Sequence, residues 1–487
     1  MNANSNNKTF LDLKIFPLIL LAFVIIITGA FGFLISYDIF TACLLLSLIV
    51  SVFFFILRPQ LTLFFFGCFL LFQHIIIEIT KAGVIRNIDE VIILFFFLVM
   101  IFRKILKKEL FHMIPVDMPL FGVIVIGSIS SIMSGKVSMF VASSGLLLLV
   151  KGFLLFYIFA NTSFREKDIS FFMRTFLVIG LFIALCGLLG FLSPYAFGSI
   201  LGINPEHKRF GFIAAQSLLR HPGAFAALMA ILACYSISAH LINGHKKFLY
   251  ISIFFIICII FSFRRTSLFG IILAPLIGII YSSFKNIRIK GGRIYFVAMF
   301  VLILSLSGVI INLFKNLFIS YFFLRNTPRE MLTLAGIRIS LDYFPLGSGF
   351  GTFGGWMSRL IYSPLYYEYG LSRTWGLSPK AAGFLNDTFW PHILAEIGVF
   401  GLLFYLLIIV GFFRICIKAL TVLQKPILQI FALGTFMLLI ESLVESTKAT
   451  FYEISLWTYF YFGSIGILWS LVCMKVKEEG LVRTKMR

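Results

Sequence analysis

Apolar runs long enough to approach or cross a bilayer recur almost from one end of this chain to the other. They fall at 15–35, 39–57, 61–79, 88–102, 118–133, 139–160, 171–192, 222–242, 248–263, 267–284, 294–312, 392–413, 427–443 and 451–473. A spanning helix needs about 20 mostly apolar residues, because each one advances about 1.5 Å through a hydrocarbon core about 30 Å thick. Several runs are shorter than that, so the expectation is an all-α integral membrane protein with about 12–14 transmembrane helices. Only 13% of the 487 residues are charged, about half the share of a soluble domain. The first run exceeds a signal-peptide core and has no small-residue cleavage site after it, so it reads as an uncleaved first helix.

Net charge is +21, and its placement matters more than its size. With a cytoplasmic N-terminus, the inner loops and tail hold about 24 Lys and Arg against about 9 in the short outer loops. Both termini are then cytoplasmic, and the excess serves topology and anionic headgroups, with no nucleic-acid partner. The seven cysteines lie in or at the ends of apolar runs, as packing residues do. The chain divides into an N-terminal bundle (1–192), helices with a basic outer loop and an arginine hairpin (193–312), one long periplasmic loop (313–391), and C-terminal helices with a basic tail (392–487). No Walker, dinucleotide or zinc-protease motif interrupts it, so the energy for any reaction must arrive with the substrate or an ion gradient.

Four features resist explanation as packing. Arg264-Arg265 form a tight hairpin on the outer side, against the basic-residue bias. Such guanidiniums suit bidentate phosphate binding, with snorkelling to headgroups as the competing account. His207, Lys208 and Arg209, then Arg220 and His221, make a second basic outer cluster just before Pro222. Lys151 lies in mid-helix, where a charge costs about 2.5–3.5 kcal/mol on insertion scales, so it needs a cavity or a partner. Glu441 and Glu445, four apart on a later helix, are candidate partners. Last, the long loop combines glycines at 347, 349, 351, 354 and 355 with Trp356, Tyr362, Tyr366, Tyr367, Trp375 and Trp390, and with Arg325, Arg329, Arg338 and Arg359. This surface can stack on sugar rings and donate hydrogen bonds, although belt aromatics give a similar pattern. The convergence of basic loops on one face suggests a membrane-embedded anion such as a lipid diphosphate.

In these stretches the sequence resembles the O-antigen ligase and O-antigen polymerase superfamily of bacterial envelope glycosyltransferases. Arg209-Phe210-Gly211-Phe212 leading to His221-Pro222-Gly223 resembles its R-x-G-x-F…H-P-N pattern, and Ser262-Phe263-Arg264-Arg265 its S-x-S-R turn. The segment from Pro345-Leu346-Gly347 to Phe353 is similar to P-L-x-G-x-G-x-G-x-F, and that from Glu396 to Gly401 to the end of H-N-x-x-L-x-x-x-x-E-x-G-x-x-G. The match covers roughly 205–401 and no more than a helix bundle before that.

The resemblance implies a GT-C-like transferase of the inner membrane that needs neither metal nor cofactor. Its donor would be an undecaprenyl-diphosphate-linked glycan. Arg209, Arg264, Arg265 and Arg220 would bind the diphosphate; the residue pattern itself adds Lys151 to them, with a structural ion pair as the rival account, and gives Arg338, Trp356 and Trp390 as candidates for the glycan. Counting back from Glu396 puts Asp387-Thr388 in the histidine–asparagine slot, with the nearest histidine, His392, five residues on. Asp387 is the expected acceptor-activating group and His392 its alternate. That departure favours a repeat-unit polymerase over a ligase acting on lipid A core. The implied partners are the lipid-linked glycan, an acceptor glycan or lipid A core, membrane lipids and a chain-length regulator. A lipid-linked oligosaccharide flippase is the rival from another class, but it calls for related halves, and the chain shows no internal repeat.

Overall fold

The computed structural model describes residues 50–80, 87–109, 114–201, 208–209, 211–284 and 327–485. The expected spans at 15–35 and 294–312, most of that at 39–57, and both His207 and Arg325 lie outside the described residues. The chain divides into two compact units, 1–63 and 64–487. In the first, residues 50–63 are helical except at Arg58.

From α1 (Pro59–Thr80) onward the described residues are mostly helical. The order continues with α2 (Ile88–Leu106), α3 (Asp117–Ser134), α4 (Met139–Ala160), α5 (Glu166–Leu192), α6 (Pro194–Leu201), α7 (Pro222–Asn243), α8 (Lys246–Phe261) and α9 (Arg265–Phe284). After the undescribed stretch come α10 (Pro328–Asp342), α11 (Trp356–Leu360), α12 (Pro364–Glu368), α13 (Trp390–Val422), α14 (Pro426–Glu445) and α15 (Ser455–Lys485). Among the described residues the sheet amounts to one hairpin, β1 (Lys208–Arg209) against β2 (Phe212–Ile213).

This is an all-α integral membrane protein. Among the described residues nine helices are long and apolar enough to cross a bilayer: α1, α3, α4, α5, α7, α9, α13, α14 and α15. The expected spans at 88–102 and 248–263 form helices that fall short of that measure. α2 has Asp89, Glu90, Arg103 and Lys104 near its ends, and α8 has 16 residues.

Burial sorts the helices into a spine and a rind. Of the apolar windows of α7 and α15, 94% is buried, against 28% for α3 and α5. A helix apolar on every side must be enclosed by others, and α7 is rich in Ala and Ser, which let backbones approach closely. Its polar groups reach the last helices. Ser238 donates to the Ile430 carbonyl at 2.7 Å, and the Tyr235 hydroxyl meets Thr435 at 3.1 Å and Ser464 at 2.8 Å. Phe182, Leu185 and Leu189 on α5 face outward, as lipid-facing residues do.

The long loop has a core of its own, in which Leu332, Ile339, Phe353, Leu365, Tyr366, Leu377 and Leu385 are buried together. α10 starts this unit, with Pro328 in its first turn and the Thr327 hydroxyl accepting the Glu330 N–H at 3.3 Å. Its Gly336 packs so close to α13 that a Cβ would lie 2.9 Å from the Pro391 carbonyl oxygen.

Candidate active site

The glycine run expected as an open sugar-stacking surface is instead a buried wedge, with residues 347–355 all buried. The reason lies in α13. Gly398 adopts φ 64° and ψ −168° inside that helix, breaking its hydrogen-bond ladder. The carbonyls of Ala395 and Glu396 then accept the N–H groups of Ser348 and Gly349, each at 2.8 Å. Three serines of α3 complete the lining. Ser130 donates to the Gly347 carbonyl, Ser134 donates to that of Ser348 at 2.6 Å, and Ser131 accepts the Phe350 N–H at 2.8 Å. Irregular backbone at membrane depth persists only where protein satisfies its polar groups. A Cβ on Gly398 would lie 2.2 Å from the Pro345 carbonyl oxygen.

His392 belongs to this wedge. One ring nitrogen meets the Phe353 carbonyl, and the other lies 2.7 Å from Glu453. Glu396, one turn on, accepts the Phe353 N–H at 3.0 Å. The ring is buried with both nitrogens facing acceptors, so it brackets the wedge to the turn before α15 and offers no nitrogen to a substrate.

Cations gather elsewhere, around a cavity of about 610 Å³. Its wall includes Arg220, His221, Arg264, Glu445, Lys448 and Trp457. Arg264 approaches the His221 ring at 3.1 Å, and its buried Nε has no hydrogen-bond partner among the described residues. The β hairpin is tied to the same turn, Arg209 donating to the Phe263 carbonyl at 2.9 Å. Arg329 and Asp387 form an ion pair of 2.7 Å between the long loop's first helix and its last turn.

These groups sense one another. Burial works against the charge of Arg209, and Arg265 and Arg329 add to it. Arg264 is disfavoured in the same way by burial and then by Arg209, yet an arginine stays cationic under such pressure. Lys448, in the connection after α14, is pushed down to about 8 by burial first and Arg329 next, with Arg264 and Arg265 contributing. Burial raises Asp387 above the ordinary carboxylate range, while Arg329, Arg264 and Arg359 oppose it. Arg209, Arg264, Arg265, Arg329 and Lys448 thus share a field with two carboxylates, Asp387 and Glu445. On the cavity wall itself Arg220, Arg264 and Lys448 face Glu78 and Glu445, an excess of one cation, to which the arginines around it add their field.

Below the cavity an apolar groove of about 680 Å³ runs between α5, α7 and α15. Along α7 the cavity is lined by Ala227 and the groove by Ile231; along α15, Leu456 and Trp457 give way to Tyr459 and Phe460. The two linings are thus about one helical turn apart along α7 and about half a turn apart along α15.

The structure therefore brings together Arg209, Arg264 and Arg265, puts Arg220 on the cavity wall in an ion pair with Glu78, and places Asp387 within reach of their field. Lys151 lies elsewhere. Its partner is Glu90 of α2 at 2.8 Å, in place of Glu441 or Glu445, and its side chain is 4% exposed. A buried ammonium needs a carboxylate beside it, and α4 packs against α2. Arg338 is exposed on α10 and Trp356 is exposed beside Arg359, while the Trp390 indole donates to Ser446 at 3.2 Å. Neither Arg338, Trp356 nor Trp390 lines the cavity.

Sequence reasoning missed Lys448 as a site residue and gave Glu445 no place in the cavity. Lys448 carried the signal that flagged Arg264, a cation on the outer side against the topological bias. No protein-family model matches the chain, and no characterised protein does so.

Proposed function

We propose that this protein is a polysaccharide polymerase. It moves a growing glycan from undecaprenyl diphosphate to an acceptor sugar hydroxyl on the periplasmic side of a bacterial inner membrane, with both termini cytoplasmic. One observation carries the reading: a cavity lined by Arg220, Arg264 and Lys448 and an apolar groove lie in succession along α7 and α15. A lipid diphosphate is an anion joined to a long apolar chain, and its glycan arrives already activated. The order of the motifs around Arg209, Arg264 and the 345–353 segment supports the same class.

In this reading Arg264 and Lys448 contact the diphosphate, with Arg209, Arg265 and Arg329 shaping the field around it. Fixed cations in a water-poor site stabilise charge that develops on a leaving group. Asp387, already committed to Arg329, sets that arginine over the cavity. His392 holds the wedge, and Lys151 holds α4 to α2.

Deleting the gene in its host tests the assignment. A polymerase deletion leaves single repeat units on the cell surface. Surface glycan lost altogether, with lipid-linked polymer accumulating, would mark a ligase instead. Polymer lengthening by the detergent-solubilised protein, where there is no membrane to cross, would exclude a flippase.

A further inference from the structure

The acceptor hydroxyl must lose a proton when its oxygen attacks the anomeric carbon, and Asp387 is occupied by Arg329. We propose that Glu445 is the catalytic base, with Glu441 as the next station for its proton. This inference rests on the glycosyl-transfer reading above.

Two carboxylates line the cavity, Glu78 and Glu445. Glu78 is engaged by Arg220. Glu445, the last residue of α14, projects where Arg264 and Lys448 act on it. The Ser267 hydroxyl donates to its Oε1, which fixes the carboxylate's orientation and leaves Oε2 to meet a ligand. Glu441 lies one turn deeper on the same helix. It is fully buried, and both of its carboxyl oxygens lack a hydrogen-bond partner among the described residues. Gly270 of α9 makes room for it, since a Cβ there would sit 3.1 Å from Glu441 Cγ. A buried polar group without a partner is costly, and an ionisable group at membrane depth is by default a candidate for a functional role such as a proton relay.

The step balances without a co-reactant. The acceptor O–H gives its proton to Glu445 as the oxygen bonds to the anomeric carbon. The bond from that carbon to the phosphate oxygen breaks, and its electron pair leaves on the diphosphate, facing Arg264 and Lys448. Base and leaving-group cations sit on one cavity wall, so proton removal and charge stabilisation act on the same bound pair.

The test uses the full-length protein in detergent. Undecaprenyl diphosphate is the binding probe, and lipid-linked glycan extracted from a strain lacking the protein is the substrate. In Glu445→Gln, transfer falls by about 100-fold or more. Probe affinity stays equal or tightens, because the change removes a negative charge from a cationic cavity. Formate restores transfer in Glu445→Ala, a rescue open to a missing base and closed to a missing structural contact. Transfer by Glu445→Gln within about threefold of wild type overturns the proposal, and so does failure of formate to rescue a variant that still binds the probe. If wild-type protein neither binds the probe nor lengthens glycan, it is the polymerase reading that falls.

Discussion

Around His392, polar groups in the helix bundle are largely bonded to one another, with Glu453 Oε2 the buried oxygen that has no hydrogen-bond partner among the described residues. The imidazole joins the Phe353 carbonyl to Glu453, Glu396 takes the Phe353 N–H, and broken α13 hands its carbonyls to the glycine wedge. Around Arg264, polar groups in the same bundle face an opening, where Arg264, Lys448 and Glu445 join the Arg220–Glu78 pair on the wall and Arg264 Nε is buried without a hydrogen-bond partner among the described residues. Low dielectric makes both clusters consequential. In the first it strengthens bonds already made, and the result is architecture. In the second it amplifies repulsion that a bound anion would relieve, which is the basis of the binding role proposed for it. Depth in the membrane therefore does not identify a site; an unmet charge does.

Substitutions can break this contrast from the structural side first. Gly398→Leu should have the largest effect, since a side chain there meets the Pro345 carbonyl at a positive φ. The two penalties together amount to about 3 kcal/mol or more, and we expect loss of the monodisperse protein on size-exclusion chromatography. His392→Ala removes the bracket at the wedge and should lower stability by about 3 kcal/mol. Thermal melting in detergent would show it, while transfer per folded molecule stays near wild type. Wild-type melting together with lost transfer would return His392 to the catalytic group.

Arg264→Ala should show the opposite pattern. Transfer drops by about 100-fold, and melting temperature holds or rises because like charges are separated. A variant that unfolds instead would make the hairpin a structural element. The smallest effect concerns pH. Lys448 is cationic below about 8 and neutral above it, so probe binding should weaken as pH rises through that value. Loss of one nearby charge is worth roughly 1 kcal/mol, about fivefold in affinity. Lys448→Arg should flatten that dependence, and a dependence that survives the change would assign it to another group.

The helices were legible because each apolar run reports its own solvent. The meeting of Arg209 with the Arg264 turn was legible too, because both oppose the topological charge bias and topology puts them on one face. What stayed hidden depended on partners distant in sequence. The 347–355 segment has the composition of a surface loop, and its burial comes from three serines of α3 and a kink in α13 that no local pattern announces. Lys151 was recognisable as a charge in need of a partner, but Glu90 sits near the start of another helix and looked like an ordinary helix-terminal acid. His392 stood out as the histidine nearest the expected slot, yet proximity along the chain could not reveal that both of its nitrogens were taken.

The enclosed position of α7 has a consequence for how the protein is made. Ser238 finds its acceptor 192 residues further along the chain, at Ile430 of α14. Translation proceeds at about 5–20 residues per second, so although α8 and α9 follow at once, the face of this helix that α14 covers waits roughly 10–40 s for its partner. During that interval Ser238 can bond its own helix backbone, as Ser236 still does with Leu232 at 2.8 Å. The spine of the finished molecule thus keeps one face uncovered during insertion, and a slow stretch of message between α9 and α14 would lengthen the period in which it can be mistaken for an orphan and degraded.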